Sequence, residues 1–222
     1  MSTTGNWRGP NIVKDGLVLY LDAGSPNSYY SQSGGVTWKD ISGNGNNGTL
    51  TNGPTYSSLN GGSIVFDGVD DYVNLNNSTP LQTGTSNFTW SVWIKTPGSF
   101  GGYKMILSSD VYYAYLSLDN NQIAYHNPSN GLFRFGTLLT NTWYNITIVK
   151  NNNIVYGYIN GIFISSANDT FNMSGNFNIG RWNYNNTLYY NSNMTTIQVY
   201  NKSLSASEVL QNYNATKSRF GL

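Results

Sequence analysis

The chain has 222 residues, enough for one sizeable all-β domain, and carries a net charge of +1 with only 9% charged residues; an ordinary soluble protein carries about 25%. That balance excludes a field of one sign able to draw nucleic acid or an anionic membrane. There is no cysteine, so disulfides, thiol chemistry and cysteine-type zinc sites are excluded.

Polarity comes instead from amides and hydroxyls. The sequence holds 34 Asn, 24 Gly and 18 Tyr, a composition akin to neutral recognition surfaces, where rigid rings supply area and amides supply adaptable hydrogen bonds. The N-terminal "MSTTGNWRGPNIV" has no apolar core of signal-peptide length. No apolar run approaches the roughly 20 residues of a membrane span. The expectation is a protein made in a cytoplasm without membrane insertion, which reaches the outside by lysis, as a virion component does. Residues 1–12 read as an arm and 13–222 as one domain. Asn-x-Ser/Thr sequons at Asn77, Asn87, Asn145 and Asn214 read as composition rather than as glycosylation sites.

In chain order, strands and turns alternate. "GLVLYLD" (Gly16 to Asp22) is a short apolar run closed by the turn chemistry of "AGSPNS". "GSIVFDGVDDYVNL" predicts two short strands around Asp67-Gly68. In "FTWSVWIK", Phe88, Trp90, Val92 and Ile94 share one face, and Thr89, Ser91, Trp93 and Lys95 share the other. "KMILSS", "YYAYLSL", "NQIAYH" and "LFRFG" follow at close spacing. "WYNITIVK" puts Tyr144, Ile146 and Ile148 on one face, and both Trp90 and Trp143 read as core or near-core. Asn160-Gly161, between apolar runs, is the strongest short hairpin signal in the chain. "MTTIQVYN" is the last long strand. About a dozen strands are expected, in an antiparallel jelly-roll sandwich. One helix follows: Ser205 as N-cap and Glu208 three residues on form a capping box, with Leu204 and Val209 at the staple positions. It is expected to pack on the sandwich edge.

Catalytic chemistry is sparse. Glu208 is the only glutamate and His126 the only histidine. A glycoside hydrolase needs two carboxylates about 5–10 Å apart, and Asp70 and Asp71, if on a strand, point to opposite faces. No G-x-S-x-G elbow accompanies His126, which reads as a strand-end residue with a local hydrogen bond.

The stretch "DISGNGNNGTLTNGP" (Asp40 to Pro54) contains G-x-G-x-x-G at Gly43, Gly45 and Gly48. A dinucleotide site needs a buried strand before it and a helix after it. "TWKDIS" is half polar and "TLTNGP" starts no helix, so the match is rejected. Asp40, Ser42 and Asn44 echo the start of an EF-hand loop, but Thr51 stands at the twelfth position. The loop reads as a turn in which Gly and Asn tolerate left-handed geometry. No cofactor is required. The alternative is calcium held by Asp22, Asp40 and Asn44.

Together, "GLVLYLDAG", "TWKDISGNGNNGTLTNGPTYSS", "GSIVFDGVDDYVNL", "FTWSVWIK", "TWYNITIVKNNNIVYGYINGIFI" and "IQVYNKSLSASEVLQNYNATKSRF" resemble, in order, laminin-G-like, concanavalin A-like jelly-roll domains. The wording "GPNIVKDGLVLYLDAG" and the ending "NYNATKSRFGL" are similar to versions in tailed-phage structural proteins. The resemblance implies two curved antiparallel sheets of five to seven strands each, and calcium at the sheet rim in many binding members. The glucanase branch carries an E-x-D-x-E strand that this chain lacks. Two readings follow. One is a non-enzymatic virion surface protein, a capsid decoration or fibre module with other virion proteins as partners. It is anchored by an arm containing Trp7, Arg8 and Pro10. The other is a carbohydrate-binding lectin module for cell-surface glycans, with Tyr112, Tyr113, Trp182, Asn183 and Tyr184 as the candidate sugar-binding residues. A polysaccharide hydrolase is a distant third.

Overall fold

The computed structural model describes residues 11–29, 35–75, 87–109, 114–171, 177–183 and 185–222. Their strands are β1 (Leu17–Asp22), β2 (Thr37–Trp38), β3 (Gly48–Thr51), β4 (Thr55–Ser57), β5 (Ser63–Val65), β6 (Tyr72–Leu75), β7 (Phe88–Lys95) and β8 (Tyr103–Ser109). The second half adds β9 (Tyr115–Asp119), β10 (Gln122–Asn127), β11 (Gly131–Phe135), β12 (Trp143–Asn151), β13 (Ile154–Ile159), β14 (Ile162–Asn168), β15 (Phe177–Ile179) and β16 (Asn193–Tyr200). The helix α1 spans Ala206–Thr216.

The strands form two antiparallel sheets of eight. The first runs β14-β13-β12-β7-β16-β5-β4, with β1 also on β16. The second runs β11-β10-β9-β8-β15-β6-β3-β2. Each sheet therefore exceeds the five to seven strands implied by the resemblance. The surplus comes from pieces of two to four residues, such as β2, β3 and β4, whose hydrophobic period is too short to read in the chain. Gly48 of the G-x-G-x-x-G lies in β3, paired with Trp38 and Leu75.

The core lies between the sheets, and alternation selects it. Phe88, Trp90, Val92 and Ile94 of β7 and Ile146 and Ile148 of β12 enter it, with Tyr144 packed at its margin. From the second sheet come Leu116 and Leu118 of β9, Ile123 and Tyr125 of β10 and Phe177 of β15. Asn160 and Gly161 take φ of 52° and 77°, the left-handed pair a two-residue hairpin needs, and join β13 to β14.

The outer face of the first sheet is covered in part by the helix. The capping box forms: the Glu208 N–H donates to Ser205 Oγ, and the Ser205 N–H donates to Glu208 Oε2 at 2.8 Å. These bonds satisfy donors that a helix start leaves open. The helix then lays Val209 and the preceding Leu204 on Val149, Tyr158 and Tyr200. Trp93, on the non-core side of β7, stacks on Phe220 at 4.0 Å and Tyr213 at 5.8 Å, and its indole N–H donates to Thr216 Oγ1. The helix thus packs on a sheet face, where Trp93 offers it a large apolar landing, and also reaches the edge expected from the sequence, where Leu210 and Tyr213 lie against Gly161 in the turn before the edge strand β14. Trp143 is on this same outer face, half-buried under Phe220 at 4.7 Å and bonded to Asn60, rather than in the core.

Candidate functional site

The helix α1 lies on the first sheet; on the outer face of the second, alternation sets what stands there. Where Leu116 and Leu118 of β9 point inward, Tyr115, Ser117 and Asp119 point outward. Registers place Tyr115 beside His126 of β10 and Ser108 of β8, and Asp119 beside Tyr103 of β8. Across β11, Arg134 is the partner of Ala124.

These residues form an aromatic cleft. Tyr115 stacks on His126 with centroids 4.8 Å apart, and meets Tyr103 and Trp182 edge-on, each at 6.4 Å. Tyr103, Met105, Tyr115, Trp182 and Leu188 line a cavity of about 180 Å³. Arg134 Nε donates to Asp119 Oδ2 at 2.5 Å, and its Nη2 donates to the Tyr103 hydroxyl at 3.0 Å. The pair neutralises itself and fixes the Tyr103 ring. Burial, with Tyr103 and Asp119 nearby, pushes the Tyr115 hydroxyl up to about 12. It therefore stays a protonated donor at neutral pH.

One wall of the cleft is the segment after β15. The Trp182 N–H donates to the Thr187 carbonyl at 2.8 Å, closing a loop, and the Met105 N–H donates to the Leu188 carbonyl. Ser108 Oγ accepts from the Asn183 N–H and donates to the Arg181 carbonyl, tying the loop to the sheet. Leu188 takes φ of 57°, a costly conformation for a bulky side chain, and thereby reaches the cavity.

Of the residues expected to bind sugar, Trp182 lines this cleft and Asn183 anchors its wall. Tyr112, Tyr113 and Tyr184 lie outside the described residues. Tyr103, Tyr115, Arg134 and Leu188 were missed. The alternation in "YLSLD" was the available signal for Tyr115, since it places Tyr115, Ser117 and Asp119 on one face.

The three residues considered for calcium each hold hydrogen bonds within the chain. Asp40 Oδ1 accepts from the N–H groups of Tyr20 and Ser42, and Oδ2 from the Asn46 N–H and the Ser42 hydroxyl. Asp22 Oδ1 accepts from Arg219 Nη1 at 2.8 Å and from the Gly24 N–H. Asn44 Nδ2 donates to the Leu17 carbonyl at 3.1 Å. This is the chemistry of a loop staple, in which the chain's own donors take the carboxylate oxygens. Asp70 and Asp71 do not point to opposite faces as expected. They precede β6 in a bend, and with Asp67 bring carboxylate oxygens within 4.8 Å of one another. Asp67 Oδ1 there accepts from the Val69 N–H, and Asp71 Oδ2 from the Asp67 N–H.

A two-sheet antiparallel sandwich with an aromatic cleft on one outer face is a lectin-like fold. Residues 67–210, well over half of the chain, match the family model of the concanavalin A-like lectin/glucanases superfamily, and the chain belongs to it. A search of curated proteins finds no match. Among solved structures, domain 4 of AbnA, a GH43 extracellular arabinanase from Geobacillus stearothermophilus in complex with arabinotriose, is 16% identical with a TM-score of 0.67. The match covers 89% of this chain and 98% of that one. The binding domain of Paraclostridial Mosquitocidal Protein 1 is 20% identical with a TM-score of 0.70, over 91% of this chain and 52% of that one. Trypanosoma rangeli sialidase in complex with sialic acid is 17% identical with a TM-score of 0.70, over 92% of this chain. The chain spans about a third of the sialidase's length (33%). At these identities the likeness is one of fold. Among the described residues no helix is long and apolar enough to cross a membrane.

Proposed function

We propose that this protein is a carbohydrate-binding module that holds its ligand on the outer face of the second sheet. The observation that carries this reading is the cleft of Tyr103, Tyr115 and Trp182, on the face that α1 leaves uncovered. Sugars present apolar C–H faces that rest on rings, and a few fixed polar groups orient them. Here the Arg134–Asp119 pair and the Tyr115 hydroxyl supply those groups. The arabinanase domain's complex with arabinotriose supports a glycan as the ligand class.

The activity is binding without bond cleavage. Glycoside hydrolysis uses two carboxylates, whereas the carboxylate at this cleft is Asp119, already salt-bridged to Arg134. Titration calorimetry against a glycan panel tests the reading. A binding glycan is expected to lose at least about tenfold in affinity, or 1.4 kcal/mol, in Tyr115→Ala and in Trp182→Ala. Unchanged affinity in both variants would remove the cleft from the site, and silence of the folded protein on the whole panel would remove the function.

The setting proposed is a virion surface, displayed through other virion proteins. It is supported by the phage-like wording of the sequence and by an exterior whose low charge makes it insensitive to salt. Removing residues 1–10 is expected to abolish particle attachment without changing glycan affinity, because Asn11 keeps its carbonyl contact with Gln211 Nε2 at 2.6 Å. Attachment that survives the truncation would rule the arm out as an anchor.

A further inference from the structure

The loop that carries Trp182 into the aromatic cleft carries Arg181 the other way. Its guanidinium lies 3.5 Å over the ring of Tyr72 on β6. Among the described arginines, Arg134 and Arg219 each pair with an aspartate, while Arg181 has no carboxylate partner among the described residues. Its Nε is buried without a hydrogen-bond partner. Its Nη2 makes one long contact, 3.4 Å, to Asn183 Oδ1. A guanidinium has five N–H groups in a flat fork. This one rests on an aromatic ring, with one long side-chain contact at Nη2.

We propose that Arg181 is an anion-reading position and that the ligand of this face is an acidic oligosaccharide, its carboxylate seated on Arg181. The inference rests on the binding face argued above. A planar carboxylate meets the guanidinium in its own plane through two N–H···O bonds, and with Nε buried that approach falls to the two Nη groups. The strands bearing Tyr72 and Tyr115 are β6 and β9, separated by β15 and β8. Three strand spacings make about 14 Å. A ligand that seats a carboxylate at Arg181 and a neutral ring on Tyr115 and Trp182 is therefore an oligosaccharide of about three units, not a single sugar. With only 9% charged residues in the chain, one unpaired guanidinium is enough to set a preference for an anion.

The test uses the full chain and trisaccharides ending in galacturonate, glucuronate or sialate, each paired with its carboxyl-reduced counterpart. Affinities are measured at low and high salt, with a sulfated trisaccharide as a further arm. At least one acid is expected to bind tenfold or more tighter than its reduced partner, and the difference is expected to shrink with salt. Arg181→Gln should abolish the difference and leave the reduced sugar's affinity unchanged. Arg181→Lys should keep part of it, since the charge remains and the fork is lost. Thermal melting of both variants confirms that they fold. Equal affinity for acid and reduced forms, a preference that survives Arg181→Gln, or preference for the sulfate alone would overturn the proposal while leaving the binding face intact. Failure of every probe, charged and neutral, would overturn the face itself.

Discussion

Asp169→Ala is expected to lower the unfolding free energy by about 3–5 kcal/mol, the range for breaking a buried pair by removing one partner. Lys150 and Asp169 have side chains 1% and 0% exposed, with Nζ 3.1 Å from Oδ1. Three further bonds converge there. The Tyr125 hydroxyl donates to Asp169 Oδ2 at 2.8 Å, the Phe171 N–H donates to Oδ1 at 2.9 Å, and Lys150 Nζ donates to the Phe171 carbonyl. Burial and the Asp169 carboxylate together push the Tyr125 hydroxyl well above its ordinary range, so it stays a donor. Without Asp169 an ammonium is left dry and unpaired, and so are the phenol and an amide. Lys150→Met with Asp169→Leu should recover part of the loss, because the charge is gone while the phenol and amide still lack a partner. Urea denaturation measures both. A loss below about 1 kcal/mol in Asp169→Ala would mean that the ammonium reaches water, contrary to the packing. The pair also bears on function: it pins the chain between β14 and β15, and β15 leads directly into Arg181 and Trp182.

The second large effect is in the core. Trp90→Ala is expected to cost about 3–5 kcal/mol, and Trp90→Phe clearly less, because Phe leaves a smaller cavity. Trp90 is 1% exposed. Its ring lies 5.1 Å from Phe88, 5.5 Å from Phe177 and 6.2 Å from Tyr125, bridging the two sheets. Its indole N–H is buried with no partner. Truncation to Ala empties the centre of an aromatic cluster, whereas Phe keeps a ring and removes an unpaired donor. If Phe proved as costly as Ala in chemical denaturation, the indole N–H would have to be satisfied in solution.

Much of the fold was legible because period-two patterning is local. The faces of β7 and β12, the Asn160-Gly161 hairpin and the Ser205 capping box each depend on residues at most a few positions apart. What escaped depended on residues far apart in the chain. Asp70 and Asp71 were assigned opposite faces on the assumption of a strand, but a bend there brings them together. The Asn-rich stretches read as turns, yet their side-chain amides also tie the loops to distant backbone. Asn46 Nδ2 donates to the Val18 carbonyl, Asn52 Nδ2 to the Asp70 carbonyl and Asn60 Nδ2 to the Arg219 carbonyl. In a chain so poor in charge, amides do between segments what ion pairs do elsewhere.

The candidate site divides along the same line. Trp182 and Asn183 stood out in the sequence as an aromatic beside amides in a turn-rich stretch. Tyr103, Tyr115 and Arg134 did not, since each is an unremarked outward position on its own strand. They meet only because β8, β9, β10 and β11 lie side by side in one sheet, and registry between strands is a property of pairing, not of any single segment. The sequence by itself determined the class of the fold, its inward faces and the helix start, because steric alternation and capping act over a few residues. The tertiary structure alone decided which sheet face α1 covers, which aromatics converge on the other, and that Arg181 stands there without a carboxylate partner among the described residues. Those outcomes depend on contacts between segments tens of residues apart, formed only when the two sheets close on their core.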